Sequence, residues 1–347
     1  MILPAISSDG STIVFRHEFD FYRVRPSDGW KPERIEISAP PDSAPERVRR
    51  VTFDRATNVD EGGFVDFTAD GKQVVFAAGG DIWAMDTTIR EPVAVTTGTG
   101  AQDNWACFTE DGKTVYFMRD TGDRVGIWKA RRSDETKPWW QNRTFQLEPV
   151  LDDGRNRTGF SLSPGNKRMA WSEAPGSLWT ANMDGSEPRK LMESPFAIDW
   201  DWSPDSRWLG CSVQDSDDNR DVLIVSADES APSYNVSRHP DWDGTPAWSP
   251  DGRVLAYLGR TYDMDIDLYY VWLRHEDYGV MKRETETREN PGKDKPAAPA
   301  PTNAVTADVR IDFDGLSERV QRLRMRVVNP ANLFWSWEGK AGAFTGT

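Results

Sequence analysis

The stretch "WSPDGRVLAYLGR", Trp248 to Arg260, joins a tight turn to a short apolar run. Pro presets the backbone at the second turn position, and Asp and Gly suit the last two positions of a type I turn. Residues 254–258 then alternate between two sides that are both apolar. This period-two pattern predicts a β-strand that is buried on both faces.

Seven versions of this turn-plus-strand unit occur along the chain. They are "SSDGSTIVF" (7–15), "TADGKQVVF" (68–76), "TEDGKTVYF" (109–117), "SPGNKRMAW" (163–171), "SPDSRWLGC" (203–211), "SPDGRVLAY" (249–257) and "SWEGKAGAF" (336–344). Their third positions are separated by 61, 41, 54, 40, 46 and 87 residues. A period of ~40–45 residues is typical of four-stranded propeller blades, whereas the repeats of β-solenoids are much shorter.

A third and a fourth strand follow most of these units. Third strands are indicated by "DFYRV" (20–24), "DIWAMD" (81–86), "GIWKA" (126–130), "SLWTANMDG" (177–185), "DVLIVSAD" (221–228) and "DLYYVWL" (267–273). Fourth strands are indicated by "RRVTF" (49–53), "VAVTT" (93–97), "EPVLD" (148–152) and "RKLME" (189–193). Four antiparallel strands per repeat indicate an all-β fold, the β-propeller.

We therefore predict a single β-propeller domain over residues 1–347, with six complete blades and a partial seventh. The predicted blades are 1–53, 63–97, 104–152, 158–193, 198–238, 245–323 and the partial 330–347. The partial blade stops after its second strand, which leaves an unpaired edge that favours association of copies into a homo-oligomer.

Three segments interrupt the repeat. The Pro-rich segment 26–46 extends the first blade, and residues 131–146 widen the third blade. Residues 286–304 have low complexity and little apolar content, so we expect a disordered insertion there. We expect residues 309–323 to close the sixth blade.

Composition excludes several classes of partner. The net charge is −14, and no Lys/Arg cluster dominates a segment, so we expect neither nucleic acid nor an anionic membrane as a partner. No apolar run reaches the ~18 residues of a membrane span. The N-terminus lacks the basic region of a signal peptide, which predicts a soluble, cytoplasmic protein as written, or a periplasmic or exported one if a leader precedes it. Cys107 and Cys211 are expected to be free, buried thiols.

The sequence shows no recognisable catalytic motif. It contains three histidines and no "GxSxG" elbow, so we expect no catalytic site in this chain and no cofactor. The Asp-rich loops 215–221 and 263–267 begin like calcium loops but lack the later Gly and Glu, so no metal site is predicted. The third strands open on a repeated carboxylate, which we expect to be structural and to accept backbone N–H bonds from the preceding loop: Asp20, Asp81, Asp221 and Asp267.

The adjacent Trp139 and Trp140 lie in an insertion and are candidates for gripping a peptide or partner. An exposed Trp is a frequent anchor in interfaces. Packing of these indoles on their own blade is the alternative. Because neighbouring strand residues point to opposite faces, we expect at most one of the two to be in the core.

Several longer stretches resemble the propeller region of tricorn-type proteases. They are "FDFYRV", "GDIWAMD" and above all the run from Asp201 to Arg274 followed by "IDFDGL". The resemblance covers almost all of the chain, although TolB-like and prolyl-oligopeptidase propellers share the "SPDG" turn. It implies one non-catalytic propeller of a large serine peptidase, which guides or filters peptides for a catalytic region absent from this chain.

The resemblance implies two kinds of partner: peptides, and the PDZ-like and catalytic regions of the same protein. Acidic loops, represented by Asp215, Asp217 and Asp265, would favour peptides with a free amino terminus over a Debye length of ~8 Å. The alternative function is that of a self-standing, TolB-like protein-binding propeller. A propeller with its own active site would need histidines or carboxylates converging on the axis, which the sequence does not display.

Overall fold

The computed structural model describes residues 2–17, 20–38, 64–98, 100–260, 265–289, 308–324, 331–335 and 342–345. The chain divides into two units, Met1–Asp54 and Arg55–Thr347. The first unit contains one antiparallel sheet of four strands in chain order. These strands are β1 (Ile2–Ile6), β2 (Ile13–His17), β3 (Asp20–Val24) and β4 (Glu33–Ile35).

The second unit contains five more four-stranded sheets, each an antiparallel meander in chain order. The second sheet is β5 (Val65–Phe67), β6 (Gln73–Ala78), β7 (Asp81–Asp86) and β8 (Val93–Ala94). The third is β9 (Gln102–Phe108), β10 (Thr114–Asp120), β11 (Val125–Arg132) and β12 (Phe145–Leu151). The fourth is β13 (Arg157–Leu162), β14 (Arg168–Glu173), β15 (Ser177–Asn182) and β16 (Arg189–Glu193).

The fifth sheet is β17 (Asp199–Trp202), β18 (Trp208–Gln214), β19 (Arg220–Ser226) and β20 (Tyr234–Asn235). The sixth is β21 (Asp243–Trp248), β22 (Val254–Arg260), β23 (Ile266–Trp272) and β24 (Val320–Leu323). A two-stranded sheet follows, formed by β25 (Ala331–Trp335) and β26 (Gly342–Thr345). The Trp335 indole N–H donates to the Ala247 carbonyl at 3.1 Å, which ties this half sheet to the sixth sheet.

Helix is sparse in the described residues. The helix α1 (His275–Glu289) lies between β23 and β24, and four short 3-10 helices span Pro26–Asp28, Trp139–Gln141, Pro164–Asn166 and Leu316–Arg319. Within the described part of the chain, no helix has both the length and the apolar character needed to cross a membrane.

The turn formula acts as the sequence predicts. In the sixth sheet the Ser249 N–H donates to the Val254 carbonyl at 2.9 Å, and the Ser249 hydroxyl donates to Asp251 Oδ1 at 2.7 Å. Gly252 has a φ of 67°, a conformation that glycine adopts without steric cost. The Ser/Thr-to-Asp bond recurs as Ser7–Asp9, Thr68–Asp70, Thr109–Asp111 and Ser203–Asp205.

Successive sheets of the second unit are joined by backbone hydrogen bonds near the start of each first strand. The Val125 N–H, in the third sheet, donates to the Arg155 carbonyl ahead of the fourth sheet at 3.2 Å. The Arg220 N–H, in the fifth, donates to the Asp241 carbonyl ahead of the sixth at 2.8 Å. The core is made by strand residues buried on both faces, such as Val115, Leu209 and Leu255, each fully buried.

These observations confirm the predicted fold class, a β-propeller of four-stranded antiparallel blades with six complete blades and a partial seventh. We use the name start end for the end of each sheet at which its first strand begins. Each second-to-third-strand loop is also at the start end, because the strands are antiparallel. The opposite end, which carries the Ser/Thr–Asp turns and the third-to-fourth-strand loops, is the turn end.

The fourth strand of the first sheet is Glu33–Ile35, inside the segment interpreted as an insertion. The predicted fourth strand, residues 49–53, lies outside the described residues. Arg23 on β3 and Glu33 on β4 hold this pairing with a 2.6 Å ion pair. Of the predicted insertion 286–304, residues 286–289 belong to α1, and the remainder lies outside the described residues.

Candidate functional site

The three acidic-loop residues share one end of the second unit. Asp215 and Asp217 lie between β18 and β19, and Asp265 precedes β23, so both loops are at the start end of neighbouring sheets. All three side chains are exposed. Asp215 also shapes its own loop, because its Oδ1 accepts the backbone N–H groups of Asp217 and Asn219 at 2.9 and 3.0 Å. The exposed side chains of Asp217 and Asp265 present negative charge to solvent.

Trp139 is not on the surface. Its side chain is fully buried, its ring stacks on Phe145 at 5.6 Å, and its indole N–H donates to the Gly112 carbonyl at 2.8 Å. It lies on a 3-10 helix rather than a strand, and its backbone N–H is bonded to Gln73 Oε1 at 2.8 Å. This placement corrects the expectation that Trp139 belongs to a binding surface, because the indole packs in the core.

Trp140, the next residue, is half-buried and lies at the turn end. The structure therefore places the tryptophans and the three acidic-loop residues at opposite ends of their sheets. The two sets of candidate residues do not form one site.

Three of the four repeated carboxylates link the third strand to the fourth. Asp20 accepts from the Arg34 guanidinium at 2.7 Å, and Asp267 accepts from Arg322 Nε at 2.6 Å. Asp221 accepts from the side chains of Asn235, at 2.8 Å, and Ser237, at 3.0 Å. These donors are side chains on or beside the fourth strand. The Asn219 side-chain amide of the preceding loop also donates to Asp221, at 3.0 Å, whereas the sequence predicts backbone N–H donors from that loop. Asp81 likewise opens the third strand of the second sheet.

A row of charged residues begins the first strands of the third, fourth and sixth sheets. Asp103, Arg157 and Asp243 each lie six residues before the turn Ser or Thr, and they are 1%, 3% and 1% exposed. Their cross-strand partners are Arg119, Glu173 and Gly259, each ten residues after that Ser or Thr. We call these three pairs the inner row, since the first strand of a propeller blade is the one nearest the axis.

Two pairs of the inner row are ionic. Both carboxylate oxygens of Asp103 accept hydrogen bonds from the Arg119 guanidinium, Oδ1 from Nε at 2.7 Å and Oδ2 from Nη2 at 2.8 Å. The same guanidinium lies 4.6 Å from the Trp128 ring centroid. Arg157 lies 3.9 Å from Glu173 and donates to Asp153 at 2.8 Å. The bidentate, buried Asp103–Arg119 pair holds its two side chains in one geometry.

The third pair has no cation. Asp243 faces Gly259, and a Cβ at that glycine would lie 2.4 Å from Asp243 Oδ1, so the carboxyl fills the position of a side chain. Asp243 Oδ2 has no hydrogen-bond partner among the described residues. Burial raises the pKa of Asp243 to about 7, the Ser237 hydroxyl opposes this, and the charges of Asp221 and Asp241 add to it. Asp243 is therefore partly protonated near neutral pH.

Exposed polar side chains flank the inner row. Gln102 and Asn104 stand on either side of buried Asp103, and Thr158 follows buried Arg157. Asp199 occupies the start of the fifth sheet's first strand, where Arg220 bonds it at 2.9 Å. Each of β9, β13 and β21 has a shift of register within a few residues after the charged one, as a β-bulge produces. Amide, hydroxyl and carboxylate groups at this edge can hydrogen-bond an extended chain.

Indole rings complete this edge. Trp105 lies over Gly159 in the next sheet, 3.0 Å from where a Cβ would be, and donates to the Phe160 carbonyl at 2.7 Å. Trp200 is half-buried and donates to the Ser161 hydroxyl at 2.7 Å. Sequence inspection missed the inner row, although a charged residue six positions before the turn Ser or Thr in three of the repeats was a usable signal.

Within the described residues, no three His, Cys, Asp or Glu side chains converge in a way that could hold a metal ion. His17, His239 and His275 lie in three different segments. The edge described above consists of hydrogen-bonding and aromatic groups.

The fold is that of a propeller similar to the propellers of tricorn-type proteases. A Tricorn protease homolog from Saccharolobus solfataricus is 19% identical over 258 residues, covering 74% of this chain and 22% of that protein. The crystal structure of the tricorn protease aligns over 94% of this chain and 30% of its own, with a TM-score of 0.56 and 14% identity. TolB from Acinetobacter baumannii aligns over 77% of this chain and 62% of its own, with a TM-score of 0.45 and 15% identity.

These similarities confirm the resemblance to a tricorn-type propeller region, and the chain is a propeller related to a peptidase. No protein-family model matches the chain. It spans 22% of the Saccharolobus relative and 34% of a second tricorn-like relative, from Sulfurisphaera tokodaii.

Proposed function

We propose that this chain is the non-catalytic propeller of a tricorn-like serine peptidase, and that it guides or filters peptides to or from a catalytic region. The observation that carries the proposal is the sequence match to tricorn-type relatives, which extends over about three quarters of the chain. The fold supports it, since first strands of propeller blades surround an axial passage.

The chemistry of the inner edge supports the same role. An extended peptide needs hydrogen-bond partners for its backbone and apolar surface for its side chains. Asn104, Thr158 and Asp199 supply exposed polar groups, and Trp200 supplies a half-buried indole beside them. The buried ion pairs of the inner row keep the strands that carry these groups in register.

The acidic loops indicate which end of a peptide is attracted to this edge. Asp215, Asp217 and Asp265 lie at the same end of the sheets as the inner row and are exposed. Their charges attract a peptide's free amino terminus at low ionic strength and are screened when salt is added.

The test is peptide binding by the full chain, measured by fluorescence anisotropy. Short peptides labelled at the carboxyl end are compared with their N-acetylated counterparts at low and high salt. We expect the free-amine peptides to bind more tightly, with a preference that shrinks in high salt and in the triple variant Asp215→Asn, Asp217→Asn, Asp265→Asn. The control is Glu135→Gln, Glu187→Gln, Glu229→Gln, which removes three exposed carboxylates from the turn end.

Absence of binding by every peptide would contradict the guiding role. Equal binding by the two triple variants would refute the contribution of the acidic loops. The intact mass of the native polypeptide separates the proposal from its alternative. A mass well above 39.2 kDa supports an attached catalytic region, and a mass of 39.2 kDa favours a self-standing protein-binding propeller.

A further inference from the structure

A cleft of about 430 Å³ lies at the turn end, between the fourth and fifth sheets. Its walls come from the first-hairpin turns of both sheets, the end of β19 and the residue before Val309. The lining residues are Lys167, Arg168, Asp205, Ser206, Arg207, Ala227, Asp228 and Asp308. Three are cations and three are carboxylates, so net charge does not identify a ligand.

The carboxylates of the cleft are already hydrogen-bonded. Asp205 accepts from the Ser203 hydroxyl and the Arg207 backbone N–H through Oδ1, and from Arg207 Nε and the Val309 N–H through Oδ2. Asp308 accepts from Arg207 at 2.8 Å and from Arg310 at 2.9 Å. The carboxylates therefore have little remaining capacity for a cationic ligand.

Asp228 is satisfied in the same way. The Ser226 hydroxyl donates to it at 2.6 Å and the Ser230 N–H at 3.1 Å. These bonds hold the pKa of Asp228 at about 2, well below its ordinary range. The Asp228 carboxylate therefore stays ionised, and its hydrogen bonds remain within its own turn.

The groups of the cleft that still have unused hydrogen-bonding capacity are the N–H donors of Arg168 and Lys167. Arg168 Nε and Nη2 are buried and have no partner among the described residues. The exposed Lys167 ammonium donates to the Asp205 carbonyl at 3.3 Å, which leaves two of its three N–H groups for a ligand. A buried guanidinium edge without an acceptor is costly, and an anion relieves that cost.

The walls of the cleft are held in place. The Ser206 hydroxyl donates to the Pro164 carbonyl at 2.6 Å, which joins the turn of the fifth sheet to that of the fourth. Arg207 is fixed by Asp205, Asp308 and the Val309 carbonyl. Lys167 and Arg168 therefore line a cleft whose walls are already formed.

We propose that this cleft binds a carboxylate, through Arg168 with Lys167. The Nε and Nη2 atoms of Arg168 are the edge of a guanidinium that takes a carboxylate in a bidentate manner. Arg119 uses the same two atoms for Asp103 in this chain. The carboxylate is supplied either by a small organic acid or by a peptide, and the site does not depend on the proposed peptide guiding, since it lies at the other end of the sheets.

The experiment is isothermal titration of the full chain with three probes. They are succinate, an N-acetylated tripeptide with a free carboxyl terminus, and the same tripeptide with a terminal amide. We expect one saturable site per chain for at least one of the two carboxylate probes. Arg168→Gln and, separately, the exposed Lys167→Gln should each weaken that binding at least tenfold.

Arg189→Gln is the matched control. Arg189 donates to the Asp228 carbonyl at 3.2 Å but does not line the cleft, so its loss removes the same charge from the neighbourhood. Binding of succinate identifies a small-molecule source, and binding of the free-acid tripeptide alone identifies a peptide source. The proposal is overturned if neither carboxylate binds, if the amide binds equally well, or if Arg189→Gln weakens binding as much as Arg168→Gln. Circular dichroism checks the fold of each variant, and Lys167→Gln alone decides the matter if Arg168→Gln unfolds.

Discussion

The carboxylate of Asp201, in the first strand of the fifth sheet, accepts a 2.8 Å hydrogen bond from the backbone N–H of Trp248 in the sixth. Asp66 in the second sheet accepts from the Phe108 N–H in the third at 2.7 Å. Each Asp lies two residues before the turn Ser or Thr of its own sheet. Each donor lies one residue before the turn Ser or Thr of the following sheet. A carboxylate at this offset therefore joins consecutive blades.

Replacing Asp201 should separate the roles of its hydrogen bond and its charge. Burial raises the pKa of Asp201 to about 6, against the bonds from the Trp248 and Trp202 backbone N–H groups. Asp201→Ala leaves the Trp248 N–H without an acceptor and should cost roughly 1–3 kcal/mol of stability. Asp201→Asn keeps an acceptor and should cost less. Hydrogen exchange at the Trp248 amide checks this: fast exchange is expected in Asp201→Ala alone, and equal protection in both variants would refute the link.

Asp243 should make the free energy of unfolding fall as pH rises. Its folded pKa of about 7 lies above the ordinary 3.8, so the folded state keeps a proton that the unfolded chain loses. Stability contributed by this group is complete below pH ~4 and is lost as pH rises toward about 7. Asp243→Asn should therefore stabilise the chain by roughly 2 kcal/mol at pH 8, and the gain should vanish near pH 4.

Urea unfolding at several pH values measures this difference. The control is Asp217→Asn, an exposed carboxylate whose removal should change stability by no more than about 0.5 kcal/mol at any pH. An Asp243→Asn curve parallel to that of the unsubstituted chain would show that Asp243 is not the group responsible.

The buried Asp103–Arg119 pair should be costly to break and cheaper to remove entirely. Arg119→Met leaves a 1% exposed carboxylate without its cation, with an expected loss of about 3–5 kcal/mol. The double variant Asp103→Leu, Arg119→Met should lose less than either single one, because no buried charge remains. Chemical unfolding of the three variants gives the coupling energy. For comparison, Lys190→Met breaks the exposed pair with Glu193 and should cost about 0–1 kcal/mol.

Arg319 should hold the returning segment 309–323 onto the sixth sheet. It is 2% exposed and donates to the carbonyls of Trp272 and Asp314 at 2.9 Å, and to those of Leu273 and Asp312. Arg319→Met leaves these buried carbonyls without donors, which should speed hydrogen exchange across β24. Arg310→Met, at an exposed residue paired with Asp308, is the control and should leave β24 protected. Unchanged exchange in Arg319→Met would show that β24 is held by strand pairing alone.

Much of the fold could be predicted because the turn formula carries its own physics. Ser or Thr, Asp and Gly at constant offsets determine most of the first hairpins locally, and the alternating apolar residues of 254–258 determine which residues are buried. Fourth strands were harder to locate, because β8 and β20 are two residues each and Glu33–Ile35 has no apolar pattern.

The candidate sites depended on tertiary structure. Trp139 and Trp140 are indistinguishable in sequence, yet a 3-10 helix packs one against Phe145 and leaves the other half-buried. In sequence, Asp243 resembles any other Asp. In the structure its cross-strand partner is Gly259, whereas the equivalent Asp103 has a cation, Arg119, as its partner. The sequence by itself determined the blades, because their turns and strands are local. Only the tertiary structure decided which charges are paired, buried or left with unused donors, because those properties depend on partners tens of residues away.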